Sequence, residues 1–383
     1  MRARTILGKS AILASSVVLV SAYVYQRSGG ELFPSSAQKS EAPAAATELL
    51  PGPKAGSVAR TVRTLHTNWV TTGFRGKAAG EDGDVTSRPS IKSMPKPETR
   101  SEPSGTFAGT RAGQTRDDNG LKTTLVWIPP GEFMMGSRED ERGHFYDENQ
   151  AHVSLSRGFW LGQHEVTQAE WWRVMQTMPW LGNIFAKEGN DYPATCVSWD
   201  DGMKFCEKLT EQERAAGRLP SGWQYTLPTE AQWEYACRAG TKSRFSFGDD
   251  ESDLSDYGWW GGVNGEGNAK GEQYYAHTVG QKKANPFRLY DIHGNVSEWC
   301  SDYYAEKLAG GTDPQGPSEG SNRVLRGGCW GDPARFCRSA NRAGKNVTPD
   351  YRDGYIGFRI AAAAASRIRH GGSPEEADFG RHQ

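Results

Sequence analysis

LPTEAQWEYACRAGT, residues 227–241, sets the pattern for reading this chain. A proline precedes Thr229, and Gln232 follows three residues after it. A hydroxyl N-cap answered by an acid or amide at the third helical position is a capping box, so a helix opens at Glu230. Trp233, Ala236 and Cys237 then recur at helical spacing and read as its inward face, and Gly240 stands where the helix should stop. The same signature opens two further helices. Thr167 with Glu170 precedes Trp171, Trp172, Val174 and Met175; Ser198 with Asp201 precedes Met203, Cys206 and Leu209. Tryptophan and cysteine on these faces read as core.

Strands lie between the helices. TTLVWIPPGEFMMGS (123–137) is a strand, a Pro-Pro turn and a second strand, and HVSLSRGFWLGQHEVT (152–167) alternates apolar and polar residues as another strand pair. From Gly240 to Gly280 glycine, aspartate and aromatics replace any periodic run. That stretch reads as irregular structure anchored by Trp259, Trp260 and tyrosines. The closing YIGFRI returns as a core strand with Arg359 as an ion-pair partner. Short helices, short strands and long connections make the fold class α+β.

Composition agrees. Apolar residues are 36% of 383, with 46 glycines, 20 prolines and 13 tryptophans, which suits a loop-heavy fold with aromatic anchors. A net charge of −1 gives no basic face for nucleic acid. The chain opens with Arg2, Arg4 and Lys9 ahead of an apolar run, residues 11–25, the layout of a secretory signal or a membrane tether. Residues 1–26 are therefore read as a signal peptide or anchor and the protein as extracytoplasmic: periplasmic, secreted or membrane-anchored. Residues 27–118 are read as a disordered Pro/Ser/Ala-rich tether, 119–363 as the folded domain, and 364–383 as a disordered tail. All six cysteines (Cys196, Cys206, Cys237, Cys300, Cys329, Cys337) follow the tether. An even count in an exported chain favours disulfides. One set consistent with position joins Cys300 to Cys337, Cys206 to Cys237 and Cys196 to Cys329, among many alternatives.

Seven segments carry a family resemblance. GEFMMGS, HEVTQAEWW, YPATCVSWDDGMKFC, LPTEAQWEYACRAGT, LYDIHGNVSEWCSDYY, RVLRGGCW and GFRIA occur in that order between Gly131 and Ala361. Together they resemble the formylglycine-generating enzymes, or sulfatase-modifying factor domains. The resemblance implies a compact α+β fold related to C-type lectins. It also implies oxidation, with copper and dioxygen, of a cysteine in a sulfatase client to formylglycine. In active members a Gly-Gly-Ser-aromatic segment leads into two copper-binding cysteines. Here Gly327 and Gly328 align, Cys329 replaces the serine, Trp330 is the aromatic, Asp332 replaces the first cysteine and Cys337 keeps the second. Copper(I) prefers sulfur, and a carboxylate is a poor substitute. The dithiolate is therefore incomplete, and the chain reads as a binding or accessory protein for a peptide or protein client, such as a sulfatase, or for a glycan. The alternatives are a working oxidase in which Cys329 and Cys337 form a displaced catalytic pair, and a different oxidative modification.

The resemblance also implies calcium at DIHGNVSE (291–298), with side chains from Asp291 and Glu298 and carbonyls from Gly294 and Val296. Acids seven apart around a glycine suit an oxygen-ligand loop. His293 within it reads as structural. Ser297 stands where the family places a tryptophan lining the cleft. With Trp330, Asp332 and Arg335 it makes up the expected substrate cleft. Arg326, Arg338 and Arg342 read as partners for nearby acids.

Overall fold

A computed structural model describes residues 107–263, 266–269 and 274–364. The readings made for residues 1–26 and 364–383, and for the tether up to residue 106, lie outside those residues, apart from Ala364. Among the described residues, no helix is long and apolar enough to cross a membrane.

Three capped helices form where the capping boxes place them. They are α1 (Gln168–Met175), α2 (Trp199–Ala215) and α3 (Glu230–Arg238), and each closes both reciprocal bonds of its box. Trp233, Ala236 and Cys237 are buried on α3, whereas Trp172 on α1 is 42% exposed. At the end of α3 it is Ala239, φ 47°, that first turns left-handed, ahead of Gly240. A fourth helix, α4 (Leu254–Tyr257), is a single turn.

The strands make three sheets. In chain order they are β1 (Thr115–Arg116), β2 (Leu125–Ile128), β3 (Gly131–Met135), β4 (Ala151–Leu155), β5 (Phe159–Gly162), β6 (Trp223–Thr226), β7 (Ser297–Tyr303), β8 (Gly311–Thr312), β9 (Arg323–Arg326), β10 (Arg342–Ala343), β11 (Ile356–Gly357) and β12 (Ala361–Ala364). The sheet orders are β1-β2-β5-β12-β6, β10-β9-β7-β11 and β3-β4-β8. The links at Pro129-Pro130 and Ser156–Gly158 therefore do not close hairpins. β2 pairs with β5 and β3 with β4, so both links carry the chain from one sheet to another. Proline supplies no N–H to a ladder and suits such a crossing.

The five-stranded sheet explains its own sequence. Leu125 and Trp127 of β2 point into one apolar cluster and Val126 and Ile128 into another. On β5, Trp160 faces the first cluster, and Phe159 and Leu161 face the second. Alternate side chains leave opposite faces of a strand, so a sheet covered on both sides needs an unbroken apolar run. The first cluster is tryptophan-rich: Trp171 stacks on Phe205 at 5.7 Å, and Phe358 meets both edge-on. The folded unit also starts earlier than residue 119. β1 pairs with β2, and Phe107 packs against Trp223 at 4.8 Å. At the other end β12 runs through Ala364.

The expected disulfides are not formed: none of the six cysteines is in a disulfide, and all are buried. Two of the suggested pairs are divided between apolar clusters, whereas Cys196 and Cys329 share the first. Cys206 packs in the first cluster and Cys237 in the second, on different helices, while Cys300 and Cys337 also belong to separate clusters. Burial pushes the Cys237 thiol up to about 12 and Cys196 up to about 11, so both are protonated core residues.

Candidate functional site

β9 delivers the decisive segment. Gly327 and Gly328 follow it with φ of 93° and 73°, a left-handed turn in which side chains are strained. A Cβ on Gly328 would lie 2.8 Å from the Phe336 carbonyl and 2.9 Å from Cys337 Sγ. The double glycine is thus what lets Cys337 pack directly against the turn.

Asp332 occupies the next turn. Its Oδ2 accepts the Cys329 N–H at 3.0 Å, its own N–H donates to the Cys329 carbonyl at 3.0 Å, and its carbonyl takes Gly261 N–H at 2.7 Å. The carboxylate locks a tight turn, a habit of aspartate wherever backbone donors need a nearby acceptor. Cys337 is fully buried at the end of a short 3-10 turn (Ala334–Phe336), and its carbonyl accepts from His293 Nδ1 at 2.9 Å. His293 Nε2 in turn accepts the Ser246 N–H at 3.1 Å. Both ring nitrogens are spent on backbone, and burial holds the imidazole near 4, so His293 is a neutral clasp joining its loop to the cysteine segment. This is the structural role that the sequence suggested for it.

The residues read as a copper centre do not fit a dithiolate. Asp332, read as standing in for one of the two sulfurs, directs its carboxylate at a backbone N–H, and Cys329 and Cys337 are buried at 3% and 0% exposure. The expected cleft residues also separate by burial. Ser297, Trp330 and Asp332 are all buried, and only Arg335 is exposed. Among the described residues, Ser297 Oγ and Trp330 Nε1 are buried without hydrogen-bond partners.

The arginines of the segment are structural. Arg338 grips Glu148 through both carboxylate oxygens, at 2.6 and 2.9 Å, and Glu141 at 2.6 Å. Arg342 holds Glu230 bidentately at 2.6 and 2.9 Å, and Arg326 pairs with Glu234.

The loop read as a calcium site divides in two. Glu298 is fully engaged: Arg359 donates to both oxygens at 2.6 Å, and Trp233 Nε1 donates to Oε2 at 2.8 Å. Asp291, left-handed at φ 55°, accepts the Gly280 N–H on Oδ2 at 2.6 Å, while its Oδ1 is buried without a partner among the described residues. Glu165, just ahead of the α1 cap, accepts from the Asn295 side chain on Oε1 at 3.0 Å, and its Oε2 is likewise buried and unpartnered among the described residues. Burial raises both carboxyls above their usual range, helped by the Asp291 charge at Glu165 and by the Glu298 charge at Asp291. Two unpaired buried carboxylate oxygens are costly unless a proton or a cation neutralises them, so this pocket fits an oxygen-seeking cation. Among the described residues, no three His, Cys, Asp or Glu side chains converge as a metal site, so carbonyls would have to complete the shell. Glu165 was missed as a candidate: in the sequence it merely precedes a helix cap, and no spacing ties it to a loop 126 residues later.

Comparison with known proteins places this geometry. The chain is 32% identical over 207 residues to the formylglycine-generating enzyme of Streptomyces coelicolor, covering 50% of this chain and 61% of that one. It is 31% identical over 254 residues to the serine/threonine-protein kinase pkn1 of Chlamydia caviae, covering 63% of this chain but 38% of the kinase. The chain thus spans less than two thirds of either relative. Among solved structures, PvdO from Pseudomonas aeruginosa superposes with a TM-score of 0.56 at 25% identity, over 66% of this chain and 99% of PvdO. Residues 111–364 match the sulfatase-modifying factor enzyme 1-like domain, and the chain belongs to that family.

Proposed function

We propose that this chain is an exported binding or accessory member of the sulfatase-modifying factor family, without the copper oxidase chemistry of its formylglycine-generating relatives. The observation that carries this reading is Asp332. It stands where the first copper-binding cysteine is expected, and its carboxylate is committed to the Cys329 N–H. Copper(I) favours thiolates, and a hard, hydrogen-bonded oxygen does not replace one. The client is a peptide or protein, with a sulfatase as the leading candidate because relatives carry the formylglycine-generating name; a glycan is the other class. Export rests on the basic and apolar N-terminal segment.

A calcium ion in the Asp291 loop belongs to the same proposal. Asp291 and Glu165 would hold it by side chains, with Gly294 and Val296 as carbonyl donors. Glu298, expected as a ligand, would have to leave Arg359 to join them. The ion would supply charge neutralisation and rigidity beside the cysteine segment, not a reacting group.

The deciding experiment loads the full chain with Cu(I), adds a peptide containing Cys-x-Pro-x-Arg and oxygen, and follows the peptide by mass spectrometry. The expected result is unmodified peptide, weak Cu(I) retention in the native protein and tighter retention in Asp332→Cys. Aldehyde formation by the native protein overturns the reading and revives a displaced Cys329–Cys337 pair.

A further inference from the structure

A second constellation lies outside the family site. The loop after β3 borders an open cavity of about 680 Å³ lined by Ser137, Arg138, Glu139, His144, Tyr146 and Gln150, among others. Its inner wall fixes a proton. Ser137 Oγ lies 2.6 Å from Glu148 Oε2 and 2.8 Å from His144 Nδ1. Glu148 is fully buried, and both its oxygens accept from Arg338, so it is the acceptor facing Ser137. The single serine proton therefore goes to Glu148. His144 Nδ1 must then carry its own proton and donate it to Ser137. In that tautomer Nε2 is the ring nitrogen that keeps an acceptor lone pair, and His144 lines the cavity. Nε2 has no partner among the described residues.

The loop is held in place. Phe145 stacks on Phe336 at 5.6 Å and 10°, and Arg338 reaches the Gly143 carbonyl. The remaining lining is hydrogen-bonding and aromatic. Tyr146 exposes 61% of its surface. The Glu139 and Gln150 side chains are exposed with no partner among the described residues. Charge is nearly balanced: Arg138 pairs with Asp140, and the Lys345 ammonium stands 5.8 Å from the Tyr146 ring, opposite in sign to Glu139.

We propose that this cavity is a binding site for a neutral sugar, with His144 Nε2 and Glu139 accepting from ring hydroxyls and Tyr146 offering a stacking face. Two acceptors disfavour phosphate, sulfate and carboxylate. The ammonium beside Tyr146 disfavours a guanidinium or a lysine. A polyhydroxylated ring satisfies both conditions, because it donates several hydrogen bonds, carries no charge and presents a C–H face to an aromatic. The site does not depend on the copper or calcium readings.

Saturation-transfer-difference NMR on the full chain, with glucose, galactose, mannose and N-acetylglucosamine, tests this at concentrations near a weak Kd of about 1–10 mM. At least one sugar should show saturated ring protons. Tyr146→Ala and Glu139→Gln, which leave the Arg338–Glu148 pair intact, should each weaken binding roughly tenfold. Long-range proton–nitrogen correlations should find His144 protonated on Nδ1. No saturation by any of the four, binding unchanged by both substitutions, saturation of a Gly-Arg-Gly amide instead, or an Nε2-protonated His144 would each overturn the proposal.

Discussion

Single side chains decide what this domain can do. The Asp332 carboxylate accepts the buried Cys329 N–H, so Asp332→Ala leaves that N–H unsatisfied and should cost about 1–3 kcal/mol, read by chemical denaturation. Asp332→Asn keeps an acceptor and should cost less than half of that. Asp302 sits buried beneath α3, where its Oδ2 accepts the Glu230 N–H at 2.9 Å. Burial and the Glu230 charge push its carboxyl up to about 7. A folded-state value above the unfolded one means that the folded chain holds a proton that the unfolded chain has released between roughly pH 4 and 7. This contribution to stability is full below that window and is lost as pH rises through it. Asp302→Asn should therefore flatten the slope of stability between pH 4 and 7 and make the protein more stable than the native chain at pH 8, measured as denaturation midpoints across pH.

Elements are set by caps, turns and ion pairs. Each capping box satisfies two donors at a helix start, so Thr229→Ala should destabilise by about 1 kcal/mol, and Thr167→Ala and Ser198→Ala by similar amounts. The turn after β9 tolerates far less. Gly328→Ala meets backbone at 2.8 Å in a left-handed conformation, and a loss of more than about 2 kcal/mol is expected. The Glu298–Arg359 pair ties β7 to the segment before β12. Arg359→Met strands a buried carboxylate and should cost about 3–5 kcal/mol, whereas exchanging both partners for apolar residues of matching volume should recover much of that.

At the scale of the whole molecule, the core is held by packing and buried ion pairs and not by sulfur. Two apolar clusters cover opposite faces of the five-stranded sheet, and the six cysteines are buried in these and a third cluster with no disulfide among them. The thermal midpoint of the full chain should consequently be the same with and without a strong reductant, by scanning calorimetry. A fall of several degrees on reduction would mean that disulfides form after all.

The sequence determined a good deal by itself. Capping boxes placed α1, α2 and α3 because N-caps are local chemistry, settled within four residues. The seven ordered segments fixed the family and the α+β class. The reading of Asp332 as standing at a cysteine position came from residue type alone, at a position the motif defines. Tertiary structure decided the rest. Which strands pair, which cysteines meet, and whether Ser297 and Trp330 line a cleft or lie buried depend on contacts between residues far apart in the chain. Glu298 was expected to bind calcium, yet Arg359, 61 residues later, occupies both of its oxygens. Glu165 and Asp291, 126 residues apart, are left with the unpaired oxygens. Charge pairing in a buried core is settled by proximity in space, and proximity across such separations is fixed only when the sheets pack.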